Sequence, residues 1–201
     1  MAKLTRRAAM TLIGASALAS CRDDNPWNSV DVEGALPALD FTLTRVRDGK
    51  LVTQADYRGK LVMLFFGFTH CPDVCPLTMG NLLQVLDQMG KDARDIRILF
   101  VTVDPERDTP PVLKAYVEDI SPQVVGLRGT ANQLARVARR YRVTYKVIPE
   151  RGTQPYQVVH GPSVYVFDRA GDARLMIPRF YDNSADIKGV TEDMTRLAQG
   201  A

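Results

Sequence analysis

Two periods of hydrophobicity alternate along the chain after Pro37. Leu61 to Phe68 reads LVMLFFGF and Ile96 to Val103 reads IRILFVTV. Near-continuous apolar runs of this length, bounded by polar turns, predict central strands buried on both faces. Between them, positions 79, 82, 83 and 86 make an apolar stripe at helical spacing, which predicts a helix over Pro76 to Met89. Pro110 and Pro111 open a second helix, to Asp119, at the first-turn positions where proline is tolerated. Thr130 to Gln133 fits a capping box, followed by the stripe Leu134, Val137, Ala138 and Tyr141. Val124 to Leu127 is a short strand. Asp40 to Val46 with the turn Asp48-Gly49-Lys50 starts a hairpin, and Ser163 to Phe167 with Arg174 to Ile177 flank a second turn, Asp168 to Gly171. Val143 to Ile148 and Tyr156 to Val159 can pair around Pro149-Glu150-Arg151-Gly152, and a last helix starts near Ser184. There is no internal repeat. Strands alternate with helices and close on a hairpin and a helix. This order predicts an α/β domain, a mixed sheet flanked by helices on both faces, with an N-terminal hairpin extension.

The first twenty residues break this pattern. Lys3, Arg6 and Arg7 precede the apolar run Ala8 to Ala19, which is too short to span a bilayer and the right length for the core of a signal peptide. The run ends in Leu18-Ala19-Ser20-Cys21, which resembles a bacterial lipobox and predicts a lipid-modified Cys21 at the mature N-terminus. Thr5-Arg6-Arg7 partly resembles a twin-arginine export signal, with Ala9 where a bulky apolar residue is preferred, so the export route stays open. Arg22 to Leu36, polar and without apolar period, reads as a membrane tether. The chain therefore divides into a signal peptide (1–20), a tether (21–36) and one domain (37–201), held in the bacterial periplasm by lipid, on the cytoplasmic membrane. Charge supports this division. The net charge of +3 comes from 26 basic and 23 acidic residues; without Lys3, Arg6 and Arg7 the two balance at 23 each. A nucleic-acid binder needs a basic surface that survives processing, so that class is excluded.

With Cys21 assigned to lipid, two of the three cysteines remain, Cys71 and Cys75. They lie in Phe68-Thr69-His70-Cys71-Pro72-Asp73-Val74-Cys75-Pro76, where the first long strand gives way to a helix. Unpaired N–H groups and the positive end of the helix dipole stabilise thiolate there. Spacing i, i+4 lets the sulfurs converge in one helical turn. Two soft thiolates make a disulfide or hold a soft cation such as Cu(I). The element order is that of a thioredoxin-like fold, in which the loop entering the hairpin strand faces such thiols. That places His160, on a turn before the strand at Ser163, as a third ligand through a neutral nitrogen. His70, the only other histidine, shapes the pocket or lies exposed.

The sequence resembles the SCO/SenC family of copper-binding assembly proteins over residues 34 to 198. The likeness is carried by Gly59-Lys60, Phe66-Gly67-Phe68-Thr69 and Cys71-Pro72-Asp73-Val74-Cys75-Pro76. Val103-Asp104-Pro105-Glu106-Arg107-Asp108-Thr109-Pro110 and Val159-His160 before Pro162-Ser163-Val164-Tyr165-Val166-Phe167-Asp168 add to it. The resemblance implies copper, Cu(I) or Cu(II), on Cys71, Cys75 and His160. It also implies delivery to, or reduction of, the dinuclear copper site of cytochrome c oxidase. The partners it implies are the oxidase subunit that carries this site, a periplasmic copper donor and a thiol reductant. The segment Asp104 to Pro110 either ties its own loop together or helps orient the copper site.

Three other readings use the same residues. A thiol–disulfide oxidoreductase would need Cys71 and Cys75 as a redox pair without His160. A thiol peroxidase would place Thr three residues before the reactive Cys and Pro four before that, where this chain has Phe68 and Leu64. A structural zinc site normally takes four ligands, and three are evident.

Overall fold

The structure is a computed structural model and describes residues 27–151 and 156–200. The signal peptide, the lipobox with Cys21 and Gly152 of the hairpin turn lie outside the described residues. An eight-stranded mixed sheet runs in the order β1 (Val30–Asp31), β10 (Ala173–Ile177), β9 (Val164–Phe167), β4 (Leu61–Gly67), β5 (Ile96–Thr102), β6 (Val124–Arg128), β2 (Thr42–Arg45), β3 (Leu51–Thr53). Four helices flank it: α1 (Val74–Met89), α2 (Pro110–Ile120), α3 (Ala131–Arg140) and α4 (Ile187–Ala198). β7 (Tyr145–Ile148) and β8 (Gln157–His160) form a separate two-stranded sheet.

The expected α/β layout is borne out, including the hairpin extension: β2 and β3 pair antiparallel and add to the sheet beyond β6. The apolar runs explain the centre. All seven residues of β4 are buried, and β4 and β5 pair in parallel from Leu61 opposite Ile96 to Gly67 opposite Thr102. Both strands thus leave the sheet at the same level. Gly67 is required at that exit, because a Cβ there would meet the Phe100 ring at 2.8 Å. The capping box at Thr130 and Gln133 forms as read from sequence.

Three boundaries differ from the sequence reading. Helix α1 starts at Val74, two residues earlier than the apolar stripe suggested, so Cys75 lies in its first turn. His160 is the last residue of β8, opposite Tyr145, rather than on a turn. The tether was expected to extend to residue 36, but residues 27–36 pack on the domain. Val30 and Asp31 pair with Met176 and Leu175. Val32 is buried and its N–H reaches the Arg174 carbonyl at 2.9 Å. Trp27 stacks under the guanidinium groups of Arg174 and Arg196. The missing periodicity in this arm has a physical cause: it is held by edge pairing and by a single carboxylate. Asp193, 1% exposed, accepts the backbone N–H groups of Asn28 and Ser29 at 3.0 and 2.7 Å and the Asn28 side-chain amide at 3.1 Å.

Removing that carboxylate takes away the acceptor of the Asn28 and Ser29 backbone N–H groups. Asp193→Ala is expected to cost about 2 kcal/mol, read from urea denaturation, with faster amide exchange confined first to residues 28–32. Unchanged exchange there would show that the arm is held by other contacts.

Candidate metal centre

The level ends of β4 and β5 bring two loops together. From β4 the chain passes through Phe68 and Thr69 to Cys71; from β5 it passes through Asp104 to Asp108. Asp108 is fully buried and accepts from donors on both paths: the Thr69 N–H at 3.1 Å, the Thr69 hydroxyl at 2.6 Å and the Thr102 hydroxyl at 2.6 Å. The segment Asp104 to Pro110 therefore ties its own loop together, as one of the two expectations had it, and also contacts the path to Cys71. It ties its own turn, through the Arg107–Asp104 ion pair and the Asp108 N–H to Asp104 carbonyl bond, and it fixes the approach to Cys71.

At the start of α1, Asp73 is the N-cap residue but makes no side-chain capping bond. The Cys71 sulfur takes over part of that role, accepting the Cys75 N–H at 3.4 Å. Pro76 follows in the first turn, where its missing N–H costs nothing. Cys71 is half-buried and Cys75 is fully buried; both are free thiols. The pair is electrostatically unequal. The hydrogen bond from Cys75 draws the Cys71 thiol down to about 3, helped by the N–H groups of Asp73 and Cys75. The hydrogen bond to Cys71, then burial, pushes the Cys75 thiol up. The two shifts run in opposite directions and favour the thiolate on Cys71 over one on Cys75.

His160 closes the third side. Its Nε2 lies 3.3 Å from Cys75 Sγ, and its Nδ1 lies 2.9 Å from the Gly161 carbonyl. A carbonyl only accepts, so Nδ1 carries the proton and Nε2 presents its lone pair to the sulfurs. The ring stands edge-on to Phe65 and Phe68, at 5.8 and 5.7 Å between centroids. The two Sγ atoms and one imidazole nitrogen lie within 4.8 Å of one another. Among the described residues they are the one group of Cys, His, Asp and Glu side chains placed to hold a metal ion.

His70 stays outside the group. Its side chain is 52% exposed, and its Nδ1 meets the Thr69 hydroxyl at 3.0 Å. That hydroxyl gives its proton to Asp108, so His70 Nδ1–H is the donor.

Sequence reasoning missed Tyr156. Its hydroxyl donates to Asp104 at 2.7 Å, and its ring lies under the Arg107 guanidinium at 4.1 Å. Partial burial and the bond to Asp104 push the phenol up to about 12, so it remains a donor at neutral pH. The available signal was its spacing: residues 156, 158 and 160 of an extended segment share one face.

The comparisons with known proteins agree with this geometry. "Protein SCO2 homolog, mitochondrial" of Bos taurus is 38% identical over 166 residues, 82% of this chain and 60% of that protein. The human "Protein SCO1 homolog, mitochondrial" is 40% identical over 134 residues, 66% of this chain and 44% of that protein. The chain thus spans between about two fifths and three fifths of these relatives' length. Among solved structures, Arabidopsis thaliana ScoI with copper bound superposes with a TM-score of 0.72 at 32% identity, covering 82% of this chain and 99% of that one. Bradyrhizobium japonicum ScoI with copper bound gives 0.68 at 36%, covering 80% and 98%. The family described as SCO1/SenC matches residues 33–199, and this thioredoxin-like chain belongs to it.

Proposed function

We propose that this protein is a membrane-tethered periplasmic copper carrier. It takes copper as cargo on Cys71 Sγ, Cys75 Sγ and His160 Nε2. It supplies that copper to the dinuclear copper site of a cytochrome c oxidase, or reduces the cysteines there. The observation that carries the reading is the convergence of two sulfurs and one imidazole nitrogen within 4.8 Å. Two thiolates and an imidazole are a soft donor set that suits Cu(I). A closed zinc site takes four ligands, and no fourth joins the group among the described residues. Binding displaces the Cys75 proton, so uptake releases acid. The ScoI structures with copper bound support the choice of metal.

The location rests on sequence. Lys3, Arg6 and Arg7, the apolar run and Leu18-Ala19-Ser20-Cys21 support export and lipidation at Cys21 in a bacterial setting. No helix among the described residues is long and apolar enough to cross a membrane. Because residues 27–36 dock on the domain, five residues, 22–26, separate Cys21 from the packed arm. The domain so works close to the bilayer, where a membrane-bound oxidase subunit, a copper donor and a thiol reductant can reach it. A second reading, thiol–disulfide exchange with partner cysteines, is favoured by one feature: a half-buried Cys71 stands in front of a fully buried Cys75, as an attacking and a resolving thiol do.

Anaerobic titration of the reduced protein against a chromophoric Cu(I) chelator is expected to give one tight site per chain. That site is absent in Cys71→Ser/Cys75→Ser. In His160→Ala the affinity falls by more than the roughly 10–100-fold typical of losing a supporting partner. A tight site that survives the double serine variant would overturn the assignment.

Cys21→Ser is expected to abolish labelling by a fatty acid and to leave the protein in the soluble fraction or unprocessed. Wild-type protein without label would remove the lipid anchor.

A further inference from the structure

Residues 130–149 carry five basic side chains, Arg136, Arg139, Arg140, Arg142 and Lys146, and no acidic one. From Cys21 onward, the rest of the chain has 18 basic against 23 acidic residues. Arg136, Arg139 and Arg140 stand at i, i+3 and i+4, so they share one face of α3, away from its buried residues. Arg136, Arg139, Arg142 and Lys146 are exposed. Among the described residues, Arg136, Arg139 and Arg142 make no ion pair and no side-chain hydrogen bond. Arg140 donates to the Ala38 carbonyl at 2.9 Å and lies 3.8 Å from Asp40. Stability does not explain this stripe. The helix dipole favours Arg139 and Arg140 in the last turn, but not Arg136 in mid-helix, and like charges at these spacings repel. Arg142 sits just past the helix end with φ 57°, a left-handed position that usually takes glycine, so its side chain is kept at a cost in backbone strain.

The stripe leads to the metal group. The Thr144 carbonyl accepts the Gly161 N–H at 3.0 Å, and Lys146 stands opposite Val159, the residue before His160. A recess of about 490 Å³ opens beside the stripe, where Arg136 and Arg140 flank Phe41 and Val137. The stripe also lies across the sheet from the arm at Trp27. Phe65 faces α2 through Phe100 and Tyr116, and Val164 pairs with Phe65. Tyr165, the next residue, therefore points the other way, and there it meets Tyr141 at the end of α3. Helices α1 and α2 share the first side, as right-handed crossovers between parallel neighbours. Helix α4, whose Arg196 covers Trp27, packs on α1.

We propose that the arginine stripe of α3 is the docking surface for an acidic protein, the partner that takes copper from this site. The proposal rests on the carrier reading and adds where the acceptor sits. Four of the five cations are guanidinium groups, whose planar forks pair with carboxylates through two hydrogen bonds. Opposite charge steers the approach and sets the orientation. Because the stripe ends beside His160, a partner seated on it brings its own ligands to the metal. Copper passes as Cu(I), without change of oxidation state. Its bonds to Cys71, Cys75 and His160 break as bonds to the acceptor's thiolates form; the acceptor's thiols lose protons and Cys75 regains one. Anionic headgroups also attract arginine, but the tether argues against them here. Only about 20 Å of extended chain joins Cys21 to Trp27, and Trp27 lies on the α4 side, so the bilayer meets that side.

The test follows Cu(I) transfer to the metal-free copper domain of a cytochrome c oxidase subunit by stopped flow. Arg136→Glu/Arg139→Glu/Arg142→Glu is compared with Lys50→Glu/Lys91→Glu/Lys188→Glu, which changes net charge equally but elsewhere. The stripe reversal is expected to slow transfer about 10-fold at low salt and to remove its salt dependence, with Cu(I) affinity for a chelator unchanged. The neutral Arg136→Gln/Arg139→Gln/Arg142→Gln falls between, and serves if the reversal fails to fold. Equal slowing by the off-stripe variant overturns the proposal. Arginine footprinting with phenylglyoxal reads the surface itself, in reduced metal-free protein: the same copper domain is expected to protect Arg136, Arg139 and Arg142. No protection overturns the docking surface. Protection instead by vesicles of phosphatidylcholine with phosphatidylglycerol, and not by phosphatidylcholine alone, assigns the stripe to the membrane and overturns the protein partner. If wild type transfers no copper yet the footprint appears, the carrier reading falls and the docking surface stands.

Discussion

The equal termination of two buried parallel strands governs everything at the site. β4 and β5 are fixed by the core, and their register puts Gly67 opposite Thr102. Two loops must leave the sheet side by side, and a polar group is needed to satisfy the donors that arrive there. Asp108 is that group: one fully buried carboxylate with three donors from Thr69 and Thr102 at 2.6–3.1 Å. A buried carboxylate with fewer partners would be costly, and one with this set is rigid. Cys71, two residues beyond Thr69, inherits that rigidity. Helix α1 then adds its own constraint, since the Cys71 sulfur substitutes for the missing side-chain cap. The two sulfurs are thus placed by the most stable part of the molecule.

The imidazole is placed differently. β8 pairs with β7 and with nothing in the main sheet, and the His160 ring is positioned by the Gly161 carbonyl, the edges of Phe65 and Phe68, and the sulfur itself. This division suits a carrier. A site built entirely on rigid elements holds a metal well and gives it up poorly. Here two ligands stand at the end of the core strand and the start of α1, and the third stands on a separate two-stranded sheet.

How much of this was legible in the sequence follows from how each feature is encoded. β4, β5 and α1 announce themselves because burial imposes a period, and Cys71 and Cys75 because thiols at a helix start have few uses. The resemblance marked His160, and its proximity to Cys75 follows the expectation. The arm at residues 27–36 was misread as tether because its attachment has no hydrophobic period; it depends on Asp193, 164 positions from Ser29. Tyr156 was missed for a similar reason. Its partner Asp104 lies 52 residues away, and the spacing of 156, 158 and 160 places it on a face without naming that partner. The start of α1 was placed two residues late because the apolar stripe that marks the helix begins only at position 79.

The two chemical readings of the site part at His160. A metal and a disulfide compete for the same electrons on Cys71 and Cys75, since a sulfur bonded to sulfur is no longer a thiolate ligand. In an oxidising compartment, metal uptake therefore requires reduced thiols, and a bound metal favours that state because it binds no other. The lowered Cys71 thiol acts in the same direction, stabilising the reduced pair relative to an unperturbed dithiol. The His160 side chain contributes to that lowering. A disulfide forms between the two sulfurs alone, whereas a three-coordinate metal also needs His160 as a ligand. An imidazole whose Nδ1 is held by a backbone carbonyl and whose Nε2 faces a buried sulfur adds a third donor atom to the two sulfurs. That orientation is maintained through Nδ1 and two aromatic edges, and it favours the metal reading over the redox one.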